Sequence, residues 1–425
     1  MLMQGRTFLS YSCEDIYTSQ LEPIAAPSIP STKETNGTNP QTRGLSIYRH
    51  LVPLLSNPSI TYLNASFAPP SNLLVHAAIN KFNTEALLSP APKPGWLQTA
   101  EDVRALLAGY INADPTSIAL TRDTTEGLNG FIPGLKSQPG DNMVILVSEH
   151  PHHAYAWMAL CPTGLEVRQI PTIPESKTTG RVVTANAATF APSIMFHSGQ
   201  WNDLQGTCDV YRPRGIHVLA DLTQQVGFAP VNVTEVNVSA ASFTLHKGLN
   251  CPTGLAALYV HPDVIREVDP VPPVVGYGAV WDARADLLVP SDEIVYHPSA
   301  RRYGHLNLSL VAAAAAKAYL DFYLDVMGPE HVESHLYRIG DALRTECQRL
   351  GVNIVGPEHG KKHAPHLYIL DLHDGRWMEH FIEAGVYVTP YRLRIRVSFR
   401  FYNNLDDVQK LVAILESGIQ AGIRI

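Results

Sequence analysis

Three short apolar runs, each followed by a polar residue and separated by helix-forming stretches, constrain this chain most. Ser117–Leu120, Met143–Val147 and His217–Ala220 are too short for core helices and too apolar for solvent-facing strands. They read as strands buried on both faces. From Gly44 onward such runs alternate with helical stretches, which predicts an α/β fold with a mainly parallel central sheet. In an open sheet of this kind ligands sit beyond the carboxyl ends of the strands. Thr121 to Thr125, Glu149–His150 and Asp221 follow those ends and are where chemistry is expected.

A chain of 425 residues exceeds one compact core and suits a large domain plus a smaller one. The expected division is a flexible leader over 1–43, a segment over 44–72 that packs with the small domain, a large domain over 73–310 and a small α+β domain over 311–425. The leader follows from Pro, Ser, Thr and Asn enrichment between Leu21 and Arg43, which leaves too little apolar surface to offset ordering entropy. Leu308–Met327 has the propensity of one helix linking the domains. Asn404, with Asp406 and Asp407 behind it, predicts the start of a surface helix reaching Gly422.

A net charge of −7 without a basic stripe argues against nucleic acid as a partner. Five cysteines at long spacings, none in a CxxC pair, argue against a disulfide framework or a thiolate zinc site. With no long apolar run and no secretory pattern at the N-terminus, a cytoplasmic protein without a membrane span is expected.

The chemistry-bearing stretch is Ser242-Phe243-Thr244-Leu245-His246-Lys247-Gly248-Leu249-Asn250-Cys251-Pro252-Thr253-Gly254. Alone, its lysine reads equally as a surface loop residue. Asp221, closing the strand upstream and followed by Gln224, changes that reading. An acid there is placed to keep a pyridinium nitrogen protonated, and a nearby lysine can bond an aldehyde cofactor.

Asp221-Leu-Thr-Gln224, then a strand, then His246-Lys247-Gly-Leu-x-x-Pro252-x-Gly254 resembles the central signature of aminotransferase class V. That group includes cysteine desulfurases, selenocysteine lyases, kynureninases and isopenicillin N epimerase. Arg122-Asp-Thr124-Thr125-Glu126-Gly-Leu-Asn129 resembles its phosphate-binding turn, and Glu149-His150 with Trp157 its segment that stacks a histidine on the cofactor. Ser198-Gly-x-x-x-Asp203-Leu204 resembles the epimerase and kynureninase type, and Arg396-Val-Ser398 with Tyr402-Asn403 the substrate-carboxylate site.

The resemblance implies the fold-type I, aspartate aminotransferase-like architecture with pyridoxal 5'-phosphate (PLP) bound to Lys247 as an imine. It implies phosphate contacts from Thr124, Thr125, Thr244 and His246. It also implies His150 over the ring, Asp221 at the ring nitrogen, Gln224 at the phenolic oxygen and Arg396 at the substrate carboxylate. His305 and Asn307 would reach the phosphate of the other subunit of a homodimer. The pocket wall would include Asn64 and Ser66, the loop after Val274 and the C-terminal strands.

Two departures narrow the function. Gly385-Val-Tyr-Val-Thr389-Pro390-Tyr391 runs almost directly into Arg396, leaving no room for the cysteine loop of desulfurases, and Cys251 reads as a packed small residue. Met195 stands where relatives carry a polar residue at the ring oxygen, a contact His197 could replace. A metal reading of His152 and His153 lacks carboxylates or thiolates at ligand spacing, and His359, His363 and His366 read as a solvated loop. Arg392, Arg394 and Arg400 alternate with Arg396, so only one face of that strand can reach the cleft.

The expected function is that of an enzyme acting at Cα of a non-standard amino acid through an external aldimine and quinonoid, as a lyase or epimerase in specialised biosynthesis. Transamination, a catalytically silent relative that keeps the fold for binding, and a metal-dependent hydrolase are the alternatives.

Overall fold

The computed structural model describes residues 44–147, 149–170, 188–271, 275–281, 293–305, 308–357, 362–391 and 394–425. The expected leader over 1–43 lies outside them, as do Val274, Asn307, His359 and Arg392. The first strand, β1 (Thr61–Tyr62), is followed by β2 (Ile118–Thr121), β3 (Asn142–Leu146), β4 (Glu166–Ile170), β5 (Ala188–Pro192), β6 (His217–Asp221), β7 (Ala240–Thr244) and β8 (Ala256–Val260). The C-terminal part adds β9 (Ile354–Val355), β10 (Leu367–Leu370), β11 (Val386–Tyr387), β12 (Thr389–Tyr391) and β13 (Arg394–Ser398).

Strands β2 to β8 form one seven-stranded sheet in the order β2-β8-β7-β6-β5-β3-β4. Its neighbours pair in parallel except for β8, which runs against both β2 and β7. The predicted parallel α/β sheet is therefore present, with one reversed strand. The first predicted run lies one residue later, the second one residue earlier, and the third begins as predicted and ends one residue further on. Thr121 and Asp221 belong to the ladders, because a buried main chain must place its N–H and C=O groups in hydrogen bonds. Val218, Leu219 and Ala220 are fully buried, each large apolar side chain contributing about 1.5–3 kcal/mol.

Register positions the site. Asp221 pairs with Pro192 of β5 on one side and with Ser242 of β7 on the other. The residues leaving β2, β5, β6 and β7 thus emerge along one edge of the sheet.

A second sheet runs β12-β13-β10-β9, all antiparallel. The early segment is stitched to it: β1 pairs with β11, Asn64 bridges Ser398, and Arg49 forms a two-pronged ion pair with Asp407. The predicted helix over Leu308–Met327 is an α-helix only over Leu310–Asp321, and a wider π turn takes Phe322–Met327 to Gly328 at φ +77°. The last helix, Leu405–Gln420, begins as predicted with Asn404 as cap, and Asp407 completes a capping box. It is not merely a surface helix, since Asp407, Leu411 and Leu415 are buried. No described helix is long and apolar enough to cross a membrane.

Candidate active site

The edge of the large sheet opens into a cavity of about 500 Å³ between the two sheets, within the size range of small-molecule sites. Its lining brings together Thr124, Thr125, His150, Asp221, Gln224, Thr244, His246, Lys247 and Arg396, residues drawn from positions far apart in the chain, and Ser66 from the early segment. A groove of equal size lies between the helices Leu73–Leu88, Lys93–Tyr110 and Leu310–Asp321. Its charged groups include the surface pair Lys317–Asp321, and it lacks such convergence.

One end of the cavity is built for an anion. The helix Thr124–Phe131 points its N-terminus there, its cap being Asp123, whose Oδ1 accepts the Glu126 N–H at 2.7 Å. Thr124 and Thr125 are therefore not the cap, and their hydroxyls are left for other partners. Thr124 Oγ1 lies 3.3 Å from Thr223 Oγ1, which also accepts the Thr244 N–H at 3.4 Å. Thr244 in turn bonds His246 Nδ1. Burial pushes the His246 ring down to about 4, with Lys247 adding to the effect. Hydroxyls, a neutral imidazole and a helix N-terminus suit a phosphate.

At the other end stands Asp221, 8 % exposed. Its Oδ1 accepts the Thr223 N–H at 2.8 Å and its Oδ2 lies 2.9 Å from His153 Nε2. Desolvation works against its charge, yet His153 and the Thr223 bonds hold the carboxyl down at about 2. His150 caps the helix Pro151–Met158, its Nδ1 accepting the His152 N–H at 3.4 Å. Burial, then the charges of His153 and Lys247, lower it to about 4, so its ring is neutral at pH 7.

Lys247 lies between the two ends. Burial lowers its amine to about 8; Asp221 opposes that shift and Arg396 adds to it. Two devices fix its loop. A Cβ on Gly248 would come 1.9 Å from the Val226 carbonyl oxygen, so only glycine permits this approach. Arg400, 1 % exposed, donates to the Lys247 carbonyl at 2.8 Å, to the Gly248 carbonyl and to Tyr319 Oη at 2.7 Å.

Arg396 is 5 % exposed, its Nη1 donates to the Phe196 carbonyl at 3.4 Å, and its buried Nε has no partner among the described residues. A desolvated guanidinium with spare donors can hold a carboxylate. Gln224 is oriented from both sides, Nε2 donating to the Ser66 carbonyl and Oε1 facing His366 Nε2, each at 3.4 Å.

Several sequence expectations change. Asn64 does not line the cavity but accepts from the Thr389 hydroxyl, which does. The expectation for His305 concerns the other subunit and does not change; within this chain His305 meets Glu126 at 3.0 Å. Met195 is fully buried and His197 stacks against Tyr391, neither lining the cavity; Phe196 takes that place. His363 and His366 are buried at 2 % and 0 %, not in a solvated loop, and His366 stacks on Phe228 at 3.7 Å. Arg400, named in the sequence only as a neighbour of Arg396, is a core residue. His153 and Thr223 were not foreseen at all. No local spacing marks His153, which meets Asp221 only through the packing of the helix Pro151–Met158 behind β6. Among the described residues no cluster of three or more His, Cys, Asp or Glu is arranged to hold a metal.

Taken together, the residues present fit PLP: an anion site, an acid for the ring nitrogen and a lysine between them. The aminotransferase class V family model matches residues 93–365. The chain is 44% identical to an uncharacterized aminotransferase of Schizosaccharomyces pombe, over 88% of this chain and 96% of that one. It is 21% identical to isopenicillin N epimerase of Streptomyces clavuligerus, covering 86% and 96% of the two chains. Among solved structures, the apo cysteine desulfurase of Thermococcus onnurineus NA1 superposes with a TM-score of 0.75 at 19% identity, over 89% of this chain and 99% of that chain. That likeness identifies the fold as the fold-type I architecture. Sequence and fold agree: the chain belongs to the aminotransferase class V family, whose cofactor is pyridoxal 5'-phosphate.

Proposed function

We propose that the chain acts at Cα of a non-standard amino acid, in lyase or epimerase chemistry. The observation that carries this reading is the placement of Lys247, Asp221 and Arg396 on one cavity that no described cysteine lines. Cys208, Cys251 and Cys347 are buried elsewhere and Cys161 is exposed away from it, which speaks against sulfur transfer through a protein thiol. The relationship to isopenicillin N epimerase over most of both chains supports the same direction.

When bound, PLP supplies an electron sink for the electron pair left at the substrate's Cα. In this reading Thr124, Thr125, Thr244 and His246 receive its phosphate, Asp221 holds the ring nitrogen protonated and Gln224 donates to the phenolic oxygen. His150 covers one ring face as a neutral imidazole. Arg396 would fix the substrate carboxylate, with Ser66 in the same cavity wall, and so orient the bonds at Cα. Lys247 would hold the cofactor through its amine and, when free, present that amine at Cα. An amine lowered to about 8 is near enough to neutrality to take a proton from Cα and to return it. We read the protein as a homodimer in which His305 reaches the partner's phosphate site.

The test is α-proton exchange. Loaded enzyme incubated with a panel of amino acids in deuterated water should replace the Cα proton of its substrates by deuterium, followed by NMR. Ammonia or a 2-oxo acid without an amino acceptor marks a lyase, and the opposite enantiomer marks an epimerase. Turnover that requires a 2-oxo acid acceptor would favour transamination instead, the activity named for the yeast relative. A PLP-loaded protein that exchanges no Cα proton overturns the proposal.

A further inference from the structure

His366 comes from the small sheet, does not itself line the cavity, and has no task in the chemistry proposed above. It stands immediately before β10, where its carbonyl accepts the Phe399 N–H at 2.8 Å. Its main chain is thereby tied to the end of β13, the strand that carries Arg396. Its fully buried side chain grips the turn that follows β6 at two points. The ring lies on Phe228 at 3.7 Å with the planes 9° apart, and Nε2 faces Gln224 Oε1 at 3.4 Å.

These contacts decide where the hydrogens lie. The Ser66 carbonyl can only accept, so the end of the Gln224 amide that faces it at 3.4 Å is the NH2, and the amide oxygen is the end facing His366. That oxygen also can only accept, so His366 Nε2 carries a hydrogen. Burial, then the neighbouring His363, Arg396, Lys247 and Arg400, holds the imidazole well below its ordinary range. A neutral ring has a single N–H. With that hydrogen on Nε2, Nδ1 keeps a bare lone pair, and Nδ1 is indeed buried without a partner among the described residues.

Gln224 Nε2 has two hydrogens. One is used on Ser66, and the other is left for the cavity that Gln224 lines. A reversed amide would set oxygen against the Ser66 carbonyl and turn a lone pair toward the cofactor's phenolic oxygen, acceptor against acceptor in both places. Ser66 holds one end of the amide and His366 the other, while the stack on Phe228 fixes the plane in which the His366 N–H points.

We propose that His366 is a positioning residue for Gln224: its Nε2–H holds the amide oxygen, so that the amide N–H is presented to the cofactor's phenolic oxygen. The inference rests on the cofactor placement proposed above. A residue of the small sheet thus sets how well negative charge on the ring oxygen is stabilised in the site of the large one.

The holoenzyme's bound-cofactor absorption, titrated with pH, tests this. Less donation leaves the ring oxygen's negative charge less stabilised, so the proton beside it is kept to higher pH. Gln224→Leu should raise the apparent pKa of the absorption change by about half a unit to one unit. His366→Phe keeps an aromatic ring on Phe228 and loses the donor. It should raise the same pKa with little change in Tm, and should add nothing in the Gln224→Leu background. His366→Gln keeps a donor and loses the stack, so it should lower Tm and titrate as wild type. A wild-type titration in His366→Phe beside a shifted Gln224→Leu overturns the inference, as does a His366→Gln shifted as far as His366→Phe. A wild-type titration in Gln224→Leu overturns the cofactor placement, and the inference with it. Should His366→Phe not fold, 15N NMR of the histidine rings in the wild-type holoenzyme decides. His366 should carry its hydrogen on Nε2 alone from roughly pH 5 to pH 9, and that resonance should move on Gln224→Leu. A hydrogen on Nδ1, or an Nε2 resonance indifferent to Gln224→Leu, overturns the inference.

Discussion

Arg400 offers the sharpest test of how the lysine loop is held. Its guanidinium is buried over the Tyr319 ring, 5.0 Å from the centroid, and its two terminal nitrogens donate to two carbonyls and a phenol rather than to a carboxylate. Arg400→Met keeps much of the volume and removes every donor. The Gly248 carbonyl and the Tyr319 hydroxyl would then lose their guanidinium partner, each at a cost of about 1–3 kcal/mol, while the Lys247 carbonyl keeps the Asn250 N–H at 3.1 Å. Relief from desolvating a charge returns part of that, so a net loss of about 2–4 kcal/mol is expected. Urea unfolding followed by tryptophan fluorescence measures it, and borohydride trapping of PLP on Lys247 reports whether the loop still presents the amine. Arg400→Lys, with a charge but no fork, should fall between. A loss below about 1 kcal/mol in Arg400→Met, with unchanged trapping, would show that the loop is positioned by Gly248 and its neighbours alone.

Lys247→Ala should abolish the trapped adduct, checked by mass spectrometry. In the wild-type apoprotein the amine reacts only when neutral, so the rate of PLP uptake should rise with pH through about 8, followed by absorbance; a flat profile contradicts the lowering by burial. Gly248→Ala places a Cβ 1.9 Å from a backbone oxygen, and loss of soluble folded protein or a large drop in Tm is expected. Arg396→Lys keeps the charge and loses the fork, so kcat/KM should fall by roughly 10- to 100-fold, about 1.5–3 kcal/mol, mainly through KM, with the cofactor spectrum unchanged.

The sheet and the main corners of the site were legible because each is written locally. A short apolar run followed by Thr121, Glu149 or Asp221 places a polar group at a strand end whatever the rest of the chain does. What the sequence concealed depends on partners far along the chain. Arg400 meets carbonyls 152 and 153 residues away, and His366 meets Gln224 across 142 residues. Nothing near Arg400 distinguishes it from an exposed strand arginine, and HGKKHAPH has the polarity of a loop although His363 and His366 are enclosed. His153 was hidden differently. Beside His150 and His152 it reads as one of a metal-like trio, and only the packing of β6 against its helix shows that it faces an acid.

The stitching of the early segment to the C-terminal sheet has a consequence for how such an enzyme diversifies. Ser66 and Phe67 follow β1, while Thr389, Tyr391 and Arg396 come from β12 and β13. The cavity wall opposite the large sheet's edge is thus made by two stretches near opposite ends of the described chain, joined through β1–β11 and the Asn64–Ser398 bridge. The residues that fit PLP come from the large sheet's edge. Ancestral duplicates could therefore revise which amino acid enters by altering the paired termini together, while the reaction centre is inherited intact.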